Sequence, residues 1–125
     1  MADQRITSKI ETIVFTIDGG GSAFTTGSKI YREIQYNCVV SGWTLIADTT
    51  GSCVIDIKKC NGASFPTTSS IAGSEKPTLS SAQKNTDTNL TTWTRNLSDG
   101  DILEFYVDSV SGITKAQLFL KLRRS

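Results

Sequence analysis

Gln117-Leu118-Phe119-Leu120-Lys121-Leu122-Arg123 is the stretch that decides the fold class of this 125-residue chain. Leu118, Leu120 and Leu122 fall on one side of an extended backbone, and Gln117, Lys121 and Arg123 on the other, because side chains alternate with a period of two along a strand. The same period runs outward through the chain. Leu103, Phe105 and Val107 oppose Glu104, Tyr106 and Asp108. Cys53, Ile55 and Ile57 oppose Val54, Asp56 and Lys58. Trp43, Leu45 and Ala47 oppose Thr44, Ile46 and Asp48. Ile13, Phe15 and Ile17 oppose Thr12, Val14 and Thr16, and Ile30, Ile34 and Tyr36 oppose Tyr31, Glu33 and Gln35. No window keeps a helical 3.6-residue pattern for more than two turns.

Glycine placement agrees with strands. Of the ten glycines, nine lie between the runs, and only Gly42, beside Trp43, falls inside one. Thr50-Gly51, Asn61-Gly62, Asp99-Gly100 and Ser111-Gly112 read as turn dipeptides, since glycine takes positive φ without steric cost. About eight short strands at this spacing predict an all-β antiparallel β-sandwich. The expected division is an N-terminal arm, 1–9, followed by a single domain, 10–125.

Residues 67–94 break the rhythm. Thirteen of these 28 positions are Ser or Thr, and Pro66 and Pro77 border or enter the stretch. The expectation is one long polar loop over an end of the sandwich, with a helical turn near Leu79–Lys84 and a short strand around Leu90–Arg95. Long loops often carry function.

Composition narrows the chemistry. Thirteen basic residues against twelve acidic ones give a net charge of +1, which argues against nucleic acid as a partner. No apolar run approaches the roughly 20 residues that span a bilayer, so no membrane partner is expected. The N-terminus lacks the apolar core of a signal peptide, and first folding in a cytosol is expected. There Cys38, Cys53 and Cys60 stay free thiols, and a Cys53–Cys60 bridge is disfavoured. The chain contains no histidine. That removes Ser-His-Asp and Cys-His catalysis and histidine metal sites, and neither an enzyme nor a cofactor is expected. Glu33, Asp56 and Glu104 fall on the polar sides of strands, as ordinary solvated charges would. Asp99-Gly100-Asp101 reads as a tight turn entering a strand. Trp43, Trp93, Tyr31, Tyr36 and Tyr106 are the rings that would stack on a sugar if exposed. The alternation favours a core place for Trp43.

Several of these segments occur together in one known family. Thr16-Ile17-Asp18-Gly19-Gly20-Gly21-Ser22, Gly42-Trp43-Thr44-Leu45-Ile46-Ala47-Asp48, and the run from Gly73-Ser74-Glu75-Lys76-Pro77 to Asn85 resemble a domain of tailed-bacteriophage virion structural proteins. Leu90-Thr91-Thr92-Trp93-Thr94 and Ser98-Asp99-Gly100-Asp101-Ile102-Leu103 agree with it. The resemblance covers the chain from about residue 10 onward. It implies a jelly-roll-like, homotrimeric surface module that contacts other virion proteins and is assembled in the host bacterial cytoplasm. The favoured role is a capsid decoration (cement) protein, anchored by the arm through Arg5, Ile6 and Lys9. The alternative is a tail or head-fibre module that binds host surface glycan through Trp93, Thr91, Glu75 and Lys76. Two readings outside the family are a free carbohydrate-binding module and an enzyme.

Overall fold

The computed structural model describes residues 10–19, 25–27 and 29–124. The anchoring residues Arg5, Ile6 and Lys9 lie outside them. The described chain is all-β: eight strands, all paired antiparallel, in one curled sheet. They are β1 (Ile10–Asp18), β2 (Lys29–Glu33), β3 (Cys38–Cys60), β4 (Ser69–Ser70), β5 (Thr78–Asp87), β6 (Asn96–Leu97), β7 (Ile102–Ser111) and β8 (Lys115–Arg124). The central path is β1-β8-β3-β7-β2, and β4, β5 and β6 pair with the other side of β3.

The curl makes the sandwich. Residues 38–47 of β3 pair with β8, and residues 52–60 pair with β7. Strand β5 follows the same course, pairing through residues 84–87 with the first half of β3 and through 78–82 with the second. Both strands therefore belong to two layers. The front layer is β1-β8-β3-β5 with β6, and the back layer is β2-β7-β3-β5 with β4. Strands that switch sheets through a bulge form the corners of such packings. Here the register with β5 slips on both sides of Gly51. A Cβ built on Gly51 would lie 2.6 Å from Ile113 Cγ1 and 2.7 Å from the Ser111 carbonyl oxygen. Thr50-Gly51 is thus not a turn between strands. It is the bend of one 23-residue strand.

Between the layers lies one apolar cluster. Phe15 of β1 meets Phe105 of β7 at a centroid distance of 5.2 Å. Leu118, Leu120 and Leu122 are at most 1% exposed, and each contributes roughly 1.5–3 kcal/mol by leaving water. The alternation of β8 is as the sequence reads, with Gln117 and Arg123 exposed on the opposite side. Ile30 departs from the expected pattern. It is 45% exposed, because β2 is an edge strand and no described strand pairs beyond it. Across the open seam between β1 and β2, Arg32 Nη2 donates to the Val14 carbonyl at 3.3 Å. Tyr36 Oη donates to Glu11 there, and burial first, then this carboxylate, pushes the phenol up to about 12.

The stretch 67–94 is more ordered than its composition suggests. Leu79–Lys84 is strand, not a helical turn, and Leu90–Arg95 carries no strand. Strand β5 escapes a sequence reading because only Leu79 of its ten residues is fully buried. Cys38, Cys53 and Cys60 are all free and buried. Burial pushes the Cys53 thiol up to about 11, away from the reactive thiolate.

The bend yields the first prediction. Gly51→Ala should destabilise the protein by about 1–3 kcal/mol, the usual range for overpacking a close contact. Chemical denaturation of both proteins, compared at equal slope, measures it.

Candidate functional site

Three surfaces collect the polar and aromatic residues that the sequence singles out. The first is a knot between loops 71–77 and 88–95. Glu75 accepts from the Thr92 amide at 2.7 Å and from the hydroxyls of Thr91 and Thr92 at 3.0 Å each. The Trp93 indole N–H donates to the Glu75 carbonyl at 2.9 Å, and Thr92 Oγ1 donates to the Ala72 carbonyl at 2.8 Å. Gly73 takes φ +63° there, and a Cβ would strike Thr92 at 2.8 Å. The fold thus brings Glu75, Thr91 and Trp93 together, but spends their polar groups on one another. Trp93 is 7% exposed, with its ring in the core cluster. It cannot offer a face to a sugar, and the stacking role expected for it is corrected accordingly.

The second surface is the outer side of the back layer. Outward residues there form two rows across the strands, Tyr31–Glu104–Lys58–Ser70 and Lys29–Tyr106–Asp56. Loop 61–77 folds over part of both. Thr68 Oγ1 donates to Glu104 Oε1 at 2.7 Å, and Ser70 Oγ donates to Asp56 Oδ1 at 2.7 Å. Lys76 Nζ donates to Asp108 Oδ2 at 2.6 Å and lies 3.6 Å from Asp56 Oδ2. The hydrogen bond to Asp108, helped by the charge of Asp56, raises the Lys76 pKa. Lys76 is therefore a strap across the sheet. Asp56 is 3% exposed and Glu104 4%, so neither is the solvated strand charge that the alternation suggests. They do lie on the polar side, as read; the covering loop is what buries them. Glu33 is exposed as expected.

Rings on this surface divide sharply. Lys58 Nζ sits 4.4 Å from the Tyr106 centroid. Tyr31 meets Phe65 edge-to-face, at 5.0 Å and 78° between planes, with Lys29 Nζ 6.0 Å away. Phe65 stands 42% exposed on the turn before Pro66. Nothing in the sequence signalled Phe65, because it lies outside every alternating run. Tyr36 is covered by Arg124 at 4.5 Å, and Trp43, 3% exposed, is core as expected. The Trp43 indole N–H has no partner among the described residues.

The third surface is the outer side of the front layer. Its rows are Ile10–Arg123–Val39, Thr12–Lys121–Gly42, Val14–Phe119–Thr44–Thr86 and Thr16–Gln117–Ile46–Lys84. Ile10 is 70% and Ile46 38% exposed, while Val14, Phe119 and Val39 are half-buried. Five apolar side chains, Ile10, Val39, Val14, Phe119 and Ile46, stand in three of these four rows among polar ones. Three cations stand among them, and the carboxylates of this side, Asp18 and Asp48, stand in the next row beside Lys115. At its end, Asp48 accepts from Thr114 and from the Lys115 amide, which lowers its pKa, the Thr114 bond most.

Asp101 belongs to the turn expected of Asp99-Gly100-Asp101. Its Oδ2 accepts from the Ser98 amide at 2.8 Å, and Gly100 takes φ +91°. Among the described residues no cluster of acidic or thiol groups is arranged to hold a metal ion. No protein-family model matches the chain, and no curated protein matches it.

Two predictions follow from the knot. Trp93→Ala should cost about 3–5 kcal/mol, as large-to-small changes in a core do, and thermal unfolding will show it. Glu75 has a folded pKa below its ordinary 4.5, chiefly through the Thr92 amide. Its contribution is therefore complete above about 4.5 and is lost as pH falls through the depressed folded value. Protection of the Thr92 amide in hydrogen exchange should fall across that window, and in Glu75→Gln it should be low and pH-independent.

Proposed function

We propose that this protein is a non-enzymatic structural protein of a bacteriophage particle, worn on the particle surface as a homotrimeric capsid decoration (cement) protein. The observation that carries this reading is the open outer side of the front layer. The back layer is partly covered by its own loop 61–77, whereas among the described residues the front layer has Ile10 and Ile46 exposed and Val14 and Phe119 half-buried. Apolar side chains on both sides of a strand suit burial against a second surface.

Charge on this face favours a ring over a face-to-face pair. A two-fold contact would press this face, with its Lys84, Lys121 and Arg123, onto an identical face. A head-to-tail contact brings the face onto a different surface of the next copy, and such contacts form a ring where the rotation between copies closes. The segments that resemble phage structural proteins also support the reading. Gly42-Trp43 lies at a bulge in β3, Gly73 to Glu75 and Leu90 to Trp93 form the knot, and Ser98 to Asp101 form a turn. These are scaffold devices. The fibre alternative is weakened at Trp93, whose ring is already buried.

In solution, light scattering should give three times the 13.5 kDa chain mass at tens of micromolar. Phe119→Glu should give monomers with an unchanged β-type circular dichroism spectrum. Particles lacking the protein should take up the native chain, and take up a form without residues 1–9 poorly. A monomeric native protein, or normal uptake without the arm, would count against the reading.

A further inference from the structure

The geometry points to a glycan-binding corner formed by Phe65, Tyr31 and Glu104 on the outer side of the back layer, which takes a neutral, polyhydroxylated sugar ring. This goes beyond the decoration role and does not rest on it.

The corner has two aromatic walls. Phe65 and Tyr31 meet at 78° with centroids 5.0 Å apart, so their free surfaces form an angle rather than a plane. Phe65 is 42% exposed, the one aromatic ring among the described residues to stand so far out. Such rings bind the C–H face of a pyranose as they bind other apolar surface. Beside Tyr31, directly opposite in register, stands Glu104.

Glu104 is the second, independent observation. It is 4% exposed, yet the hydrogen bond from Thr68 to Oε1 is its one side-chain bond among the described residues, and no ion pair reaches it. Its neighbour Asp56 differs, with Ser70 on one oxygen and Lys76 near the other. Glu104 Oε2 is not among the fully buried, partnerless atoms, so it reaches the surface. A carboxylate that is largely enclosed but open on one side is a strong acceptor for a donor that takes the place of its water, because hydrogen bonds to an ionised group are the stronger ones.

Surrounding charge selects the ligand. A metal ion needs several oxygen ligands, and here a single carboxylate stands on a side of the sheet that also carries Lys29 and Lys58. A phosphate or sulfate would meet Glu104 and the exposed Glu33 beside it. An apolar protein segment would find a single exposed ring. A sugar matches each feature: adjacent hydroxyls donate to Glu104, other oxygens accept from Lys58 or Lys29, and the ring face lies on Phe65. Ser64 and Thr67, both exposed, rim the corner with hydroxyls.

The test is a two-dimensional amide NMR titration of the native protein with methyl glycosides of glucose, galactose, mannose and N-acetylglucosamine at tens of millimolar. At least one should move the amides of residues 29–33, 64–68 and 103–105, saturably. Phe65→Leu keeps an apolar side chain but removes the ring, and should abolish the shifts. Glu104→Gln keeps the acceptor for Thr68 and should weaken binding about tenfold or more, as expected for a lost charge-assisted hydrogen bond. No saturable shift with any glycoside overturns the proposal, as does equal binding by Phe65→Leu. If Phe65→Leu instead loses uptake into particles, the corner is a protein contact and the proposal fails. The decoration reading is judged separately, by uptake of the native chain.

Discussion

At Gly51 the backbone of β3 passes so close to Ser111 and Ile113 that a single methyl group would collide with them. That contact is where one long strand leaves the front layer and enters the back one. Because β3 has partners on both sides along most of its length, the bend sets the course of every strand beside it. β8 stops pairing at Ala47, and β7 begins at Ser52. β5 repeats the change of layer on the other side of β3, with its own register slips. The facing rings of Phe15 and Phe105 meet only because the layers have turned toward one another. A residue without a side chain is what lets a sheet of this size fold over on itself.

How much of this can be read from the sequence depends on where the determining contact lies. Strands whose inner faces are apolar announce themselves, and β8, β7, β1 and both halves of β3 do so by alternation alone. The continuity of β3 does not, because Thr50-Gly51 is a plausible turn until Ser111 and Ile113 are known to press on it. β5 hides for a different reason: it is a polar strand whose Ser, Gln, Lys and Asn side chains face water, so its composition is that of a loop. Burial of Asp56 and Glu104 is equally invisible locally. Both sit on the polar side of their strands, and loop 61–77, distant in sequence from Glu104, covers them. Trp93 lies among serines and threonines where no alternation fixes its side; Glu75, many residues away, supplies the carbonyl that lets its indole go inside.

The two outer surfaces show a division of labour within one small sandwich. Loop 61–77 closes most of the back layer with a web of hydroxyl–carboxylate bonds and the Lys76 strap, which leaves Phe65 standing at the margin. Individual exposed ion pairs add little to stability, but Asp56 is almost wholly out of water, so removing Lys76 would leave an unbalanced charge there. Among the described residues the front layer has no comparable cover. Its mixture of aliphatic side chains, threonines and cations suits an interface of moderate polarity, such as non-obligate contacts use.

One feature of the topology bears on how the chain is made. Strands β7 and β8, adjacent in sequence, flank different halves of β3 and do not pair with each other, while β1 finds its partner in β8. As the ribosome releases the polypeptide from its N-terminus, β1 emerges early and has nothing to pair with until β8 follows. The front layer can close only after nearly all of the described chain is out, so folding is a post-synthetic event dominated by distant pairings, which are slow to form. In the interval the free edge and apolar side of β1 are exposed among other nascent chains. The Thr residues at 12 and 16, and the neighbouring Glu11 and Asp18, keep that waiting strand polar enough to resist premature association.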